Sequence, residues 1–294
     1  MIPSAFDYAS PSNLSEAIEL LKTKGEGAKI LAGGQSLIPL LKLRLASPTF
    51  VIDINRIPGL DYIREDAGFL KIGALVRMAD VEASGLLRRR YPIIHDASKV
   101  IADPLVRNLG TVGGNLSHGD PANDLPAVML ALGSKLVATG PSGDRIVAAE
   151  SFFLDSFTTA LNHDEILTEV RVPSLAPRSG GAYLKHEMKV GDFATVGVAV
   201  QLSLNDAGGC HSIGIGLTAV GPTAIRAREA EQAMMGKKPG DAAAVKNATR
   251  LAAEASDPAS DIHGTIEYKR RVLARLLAQA LQTANERARS GGAG

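Results

Sequence analysis

Lys29-Ile30-Leu31-Ala32-Gly33-Gly34-Gln35-Ser36-Leu37 runs from an apolar strand pattern into a glycine pair, and Leu109-Gly110-Thr111-Val112-Gly113-Gly114-Asn115 repeats the arrangement further along the chain. Hydroxyl and amide side chains flank each pair. Taken alone, either pair is a tight turn. Taken together they form two loops able to face one ligand, because successive backbone amides in a turn make a concave nest that accepts an anion without Lys or Arg. Neither loop is G-x-G-x-x-G with an acidic residue at dinucleotide spacing, and no Gly-Lys-Ser/Thr follows, which disfavours a nicotinamide fold and excludes a Walker A loop.

Outward from the first pair, Asn13 or Ser12 caps a helix with Leu14, Ala17, Ile18 and Leu21 on one face, and Ala28 to Leu31 follows as a strand. A helical pattern around Pro39 leads to strands at Thr49–Ile54 and Phe69–Ala74. Further helices are expected over Met78–Leu87 and Tyr91–Ala102, with Pro104 as a stop. Past the second pair, a helix over Leu125–Leu132 and strands at Lys135–Thr139 and Glu165–Val172 complete the first unit. The breaker-rich stretch Pro173 to Gly181 marks the boundary between two units. Beyond it Val196 to Leu204 and Ile213 to Leu217 alternate as a hairpin. Helical patterns at Thr223–Met235, Asp241–Ala255 and Thr265–Asn285 finish the chain.

Composition narrows the function. With 294 residues, two packed units are favoured over one. The 32 basic and 31 acidic residues leave a net charge of +1, so no long-range field collects nucleic acid or anionic membrane. The start lacks a basic segment and an apolar run, and a cytoplasmic protein is expected. Cys210 is the single cysteine, and one thiol cannot hold an iron–sulfur cluster. No histidine pair has metal-ligand spacing, and no Gly-x-Ser-x-Gly elbow occurs. Asp120 and Asp124 read as a structural turn, or as a helix cap with a polyol hydroxyl acceptor. Lys185 to Ala194, with its alternating charge, reads as a solvated loop, or as a second-unit loop reaching over a ligand held by the first.

Leu31 to Pro39, Val106 to Asn115 and Asp120-Pro121-Ala122-Asn123-Asp124-Leu125-Pro126 together resemble the FAD-binding medium subunit of molybdenum hydroxylases, the carbon monoxide dehydrogenase and xanthine dehydrogenase type. The resemblance spans nearly the whole chain. It implies an α+β fold: a two-part FAD-binding domain of the vanillyl-alcohol-oxidase-like (PCMH) type over residues 1–177, a C-terminal domain of sheet and three helices over 178–288, and a frayed tail at 289–294. It also implies an oxidoreductase subunit that carries FAD, takes electrons from the iron–sulfur clusters of a partner and passes them to an external acceptor. The molybdenum cofactor and [2Fe-2S] clusters would lie only in a large and a small partner subunit, in a dimer of heterotrimers.

By position, the implied cofactor-binding residues are Ala32, Gly33, Gly34, Gln35, Ser36 and Leu37 in the first loop, and Thr111, Val112, Gly113, Gly114 and Asn115 in the second. Ile101 and Leu167 would pack on the cofactor, Asp124 would meet its polyol region, and Lys185 would reach it from the second domain. Asp192 and Phe193 fall in the loop beside the flavin ring. Many relatives have His at Gln35 and several have Tyr at Phe193. No catalytic or metal residue is implied. The rival readings are a stand-alone flavin oxidase or dehydrogenase, which would need its own base, and a non-catalytic subunit that lost FAD.

Overall fold

A computed structural model describes residues 2–290. Its first lobe is β1 (Asp7–Ala9), α1 (Leu14–Lys24), β2 (Ala28–Leu31), α2 (Leu37–Leu43) and β3 (Phe50–Asp53). The Asn13 side chain caps α1 by accepting from the Glu16 N–H. The buried face of α1, Ala17, Ile18 and Leu21, joins Phe50 and Ile52 in a small core. The three strands run parallel in the order β1-β3-β2. Parallel pairing brings the C-terminal ends of β2 and β3 to one edge, which sets residues 32–36 beside residues 54–55. That edge is where parallel sheets bind ligands.

The second lobe contains β4 (Ile63–Asp66), β5 (Phe69–Gly73), α3 (Met78–Ala83), α4 (Gly85–Arg90), α5 (Pro92–Val100) and α6 (Pro104–Leu109). It continues with α7 (Val112–His118), α8 (Asp124–Ala131), β6 (Lys135–Gly140), β7 (Gly143–Ala148), β8 (Phe153–Asp155), β9 (Thr158–Thr159) and β10 (Ile166–Pro173). Its main sheet is antiparallel, in the order β4-β5-β10-β6-β7. One expectation changes here and one is extended. The helix expected over Met78–Leu87 is two helices, because the Ser84 hydroxyl accepts from Leu87 N–H and starts α4. The expectation of Pro104 as a stop holds for α5, which ends at Val100, but Pro104 also begins α6 after the Asp103 cap, since a first-turn proline lacks only an N–H that the helix would leave unpaired.

The C-terminal unit is β11 (Ser179–His186), β12 (Val196–Leu204), β13 (Cys210–Thr218), β14 (Ile225–Arg226), α9 (Arg228–Met234), α10 (Ala242–Ala255) and α11 (Ile266–Ser290). Its strands pair antiparallel in chain order. The strand β11 is not expected from the sequence. Ser179-Gly180-Gly181 reads as a breaker and Lys185-His186 as a charged loop, yet both belong to a strand paired with β12 along its full length. α11 continues through Ser290, so Arg289 and Ser290 of the expected tail belong to that helix, and the rest of the tail lies outside the described residues.

Every residue of β12 is buried. Its Val and Leu side chains face α10 and α11 in a second core. On the other side the sheet packs on α8 of the first unit. A Cβ built on Gly216 would lie 1.9 Å from the Ala127 carbonyl oxygen, so only glycine admits the helix that closely. Ion pairs of Asp96 with Arg287, and of Glu150 with Arg226 and Arg228, also join the two units. Among the described residues no helix is long and apolar enough to cross a membrane.

Candidate functional site

The two glycine pairs meet. A Cβ built on Gly33 would lie 2.3 Å from the Leu109 carbonyl oxygen and 2.7 Å from the Gly110 Cα. One built on Gly114 would lie 3.9 Å from the Ala32 Cβ. Gly33 is therefore a packing requirement as well as a turn, and Gly34, at φ 72°, occupies the left-handed region that favours glycine.

Hydrogen-bond bookkeeping separates the pairs. In the first loop the N–H groups of Gly33, Gly34, Gln35, Ser36 and Leu37 donate to no acceptor among the described residues. The loop's carbonyls, by contrast, are engaged: Ile38 N–H donates to Gly34 O at 3.1 Å and Leu40 N–H to Ser36 O at 3.1 Å. The Gln35 side chain folds back and donates from Nε2 to Gly33 O at 3.3 Å. Ser36 stands at the N-cap of α2 without making a side-chain cap bond. A run of unpaired N–H groups at a helix start is an anion nest.

The second pair is not a loop. Val112 to His118 is helical, with Thr111 as its cap. All four of its first amides are spent. Val112 N–H donates to Val76 O at 2.9 Å, Gly113 N–H to Ala74 O at 2.8 Å and Asn115 N–H to Thr111 O at 2.9 Å. Gly114 N–H donates to Thr111 Oγ1 at 3.1 Å. This segment is therefore no second run of free amides, and a Cβ on Gly113 would lie 2.5 Å from the Ala74 Cβ, so that glycine seats α7 against the end of β5. What it leaves for a ligand is the exposed edge of Gly114 and the Asn115 side chain, whose Oδ1 is buried with no partner. An orphaned buried acceptor marks a missing donor.

Asp124 lies at the start of α8, 5% exposed, and both of its oxygens are held from the C-terminal unit. Tyr183 donates its hydroxyl to Oδ1 at 2.5 Å, and Lys185 donates from Nζ to Oδ2 at 3.3 Å. Lys185 also donates to Val100 O at 2.8 Å and sits 3.2 Å from Glu187 Oε2. Burial pushes the Asp124 carboxyl up to about 6, although Lys185 and the Tyr183 hydrogen bond both pull it down. The cluster holds two carboxylates for one ammonium, in a site with little water to screen them.

The remaining expected residues divide. Ile101 and Leu167 are buried in the core of the second lobe. Asp192 is half-buried and caps its own loop by accepting from Phe193 N–H. Phe193 is 56% exposed beside the cleft between the units. Its loop does reach the first unit, for a Cβ on Gly191 would lie 2.9 Å from the Ala102 carbonyl oxygen. Cys210 is buried with its thiol pushed up to about 11, which keeps it protonated and unreactive at neutral pH.

Three residues at the site escape a sequence reading. Asn55 donates from Nδ2 to Ala32 O at 2.7 Å, Arg77 donates to Asn55 Oδ1 at 2.7 Å and to Leu109 O, and Tyr183 holds Asp124. Parallel pairing of β2 with β3 is the signal that would have placed Asn55 next to Ala32. The residues present fit a dinucleotide pyrophosphate at the five free amides, with polar side chains nearby for a polyol.

Residues 4–175 match the family described as FAD binding domain in molybdopterin dehydrogenase, and residues 181–284 match the CO dehydrogenase flavoprotein C-terminal domain. The chain is 42% identical to the carbon monoxide dehydrogenase medium chain of Hydrogenophaga pseudoflava, over 97% of this chain and 98% of that protein. It is 41% identical to the medium chain from Afipia carboxidovorans, over 99% and 100%. Among solved structures, the H. pseudoflava carbon monoxide dehydrogenase lacking the Mo-pyranopterin moiety superposes with TM-score 0.94 at 44% identity, over 98% of this chain and 99% of that one.

Proposed function

Since the chain belongs to the family of FAD-binding medium subunits of molybdenum hydroxylases, we propose a division of labour within it, carried by the five unpaired amides of Gly33 to Leu37. The protein is the FAD-carrying electron-transfer subunit of a multi-subunit molybdenum-dependent oxidoreductase, and the molybdenum and iron–sulfur centres belong to its partner subunits. When bound, FAD supplies the redox chemistry that links partner iron–sulfur clusters to an external acceptor, while the protein supplies position and electrostatics.

The chain's own residues do the holding. The amides of Gly33, Gly34, Gln35, Ser36 and Leu37 take the pyrophosphate, and Ala32 lines the turn. Asn115 offers its orphaned Oδ1 to a hydroxyl donor of the polyol region, Gly114 lets the cofactor pass close to the backbone, and Thr111, Val112 and Gly113 hold that edge in place. Asp124 and Lys185, tied together, close the site from both units. Ile101 and Leu167 support it from the core, and Asp192 and Phe193 shape the approach of the acceptor. This assignment divides the chain near residues 177–178, the C-terminal unit being the cover. A dimer of heterotrimers in the cytoplasm is the assembly this reading favours.

The test is direct. Purified chain, denatured, should release one FAD, and apo chain should regain it on reconstitution; failure to bind flavin in excess FAD would refute the reading. Purification of the native complex should bring a large molybdenum subunit and a small iron–sulfur subunit with this chain.

A further inference from the structure

The nest depends on the direction of its amides, and the structure shows what aims them. A trans peptide is planar, with its C=O and the following N–H pointing in opposite directions. Whatever holds the carbonyl of one residue therefore fixes the line of the next N–H. The first amide of the nest, Gly33 N–H, shares its peptide plane with Ala32 O, and that oxygen is held by Asn55 Nδ2 at 2.7 Å. Asn55 is itself clamped, since its N–H and its Nδ2 both donate to Asp53 Oδ1, at 2.9 and 2.6 Å. Asp53 in turn accepts from the Tyr8 hydroxyl at 2.7 Å.

The guanidinium of Arg77 closes the network. One of its nitrogens donates to Asn55 Oδ1 at 2.7 Å, which fixes the side-chain amide so that Nδ2 faces Ala32. The other donates to Leu109 O, the same oxygen against which Gly33 packs. The backbone beside Arg77 is bonded to the second glycine pair as well, for Met78 N–H donates to Gly110 O at 2.9 Å and Val112 N–H to Val76 O at 2.9 Å. One side chain thus spans the first loop, through Asn55, and the segment leading into α7.

We propose that Asn55 and Arg77 are positioning residues for the cofactor. Asn55 aims the first amide of the nest by holding Ala32 O, and Arg77 keeps Asn55 in that orientation while it also holds Leu109 O. Gln35 acts alike one residue on, holding Gly33 O and so aiming Gly34 N–H. The inference rests on the reading of this loop as the FAD pyrophosphate site. Neither residue needs to touch FAD to act.

The full-length apo chain, titrated with FAD and separately with riboflavin by flavin fluorescence, tests it. The variants are Asn55→Leu, Arg77→Met and Arg77→Lys. Asn55→Leu and Arg77→Met should each weaken FAD about ten- to a hundred-fold, the range for disturbing hydrogen bonds to a charged group, and leave the weak riboflavin affinity unchanged. The phosphorus resonances of bound FAD should shift in both variants, and Arg77→Lys, which keeps one charged donor nitrogen in place of two, should recover part of the affinity. The urea midpoint of the apo variants should stay near that of the wild type. FAD affinity within two-fold of wild type, or a loss that follows apo stability and affects riboflavin equally, would overturn the inference. If the wild-type chain bound no FAD, the functional reading would fail first and the positioning role with it.

Discussion

Gly33-Gly34 and Gly113-Gly114 have the same spelling and opposite bookkeeping. The first pair leaves five consecutive N–H groups without an acceptor among the described residues, while the second has each of its amides from Val112 to Asn115 committed to the protein. The difference lies in the path of the chain around each pair. After β2 the chain turns into α2 with its carbonyls held from behind, so the N–H groups face outward. After α6 it runs alongside residues 76–78 and enters a capped helix, so the N–H groups are consumed. A glycine pair beside a hydroxyl residue therefore marks a close approach, and only the hydrogen bonds reveal whether the thing approached is a ligand or the protein itself.

Substitutions at the two pairs should part along that line. Gly113→Val has the largest expected effect: its side chain would collide with Ala74, and overpacking of this kind costs about 1 to 3 kcal/mol or more, read as a lower urea midpoint of the apo chain. Its loss of FAD would be secondary to unfolding. Were apo stability intact and FAD lost, the second pair would be a binding loop after all.

A pH series divides the regions electrostatically. Residues 32–37 contain no titratable side chain, whereas α8, next along the chain from the second pair, begins with Asp124. Its carboxyl is raised in the fold, so the folded state holds the proton more tightly than the unfolded one. The resulting stability is present below the unfolded carboxyl pKa and is lost as pH rises through about 6. The wild type should lose on the order of 3 kcal/mol relative to Asp124→Asn across that window in apo urea titrations. Parallel curves for the two proteins would show that the buried carboxyl does not set this pH dependence.

Gly34→Ala forces a side chain into the left-handed region, at about 1 to 2 kcal/mol, in the loop whose shape the anion needs. FAD affinity should drop about ten-fold while the core stays intact, as judged by near-ultraviolet circular dichroism. Thr111→Ala is the smallest and works the other way. It removes the α7 cap, with an apo stability loss of about 1 kcal/mol and little direct effect on FAD.

Much of this architecture is legible in the residues themselves. Asn13, the apolar face of α1, the run Ala28 to Leu31 and the alternation of β12 and β13 follow from propensity and period, and the folded chain agrees. The joint pattern of the glycine pairs and Asp120 to Leu125 points to the family and, through it, the cofactor. The hidden part depends on tertiary pairing. Ser179 to His186 has the composition of a linker and a charged loop, yet β12 and α11 supply the partners that make it a strand. Pro104 begins a helix because Asp103 precedes it. Asn55 and Arg77 read as ordinary surface residues; the parallel register of β2 with β3 brings Asn55 to the nest, and the bonding of residues 76–78 to residues 110–112 brings Arg77. Tyr183 pairs with Asp124 across the boundary between the units, a distance of 59 positions that no local pattern reports.

In the proposed site the first pair binds with its backbone, and the second builds the wall. Amide-resolved hydrogen exchange of the full chain, with and without FAD, measures this at the atoms concerned. Gly33 to Leu37 should exchange quickly in the apo protein and become protected when FAD binds, while Val112 to Asn115 should be protected in both states. New protection at Val112 to Asn115, with Gly33 to Leu37 unchanged, would contradict that division.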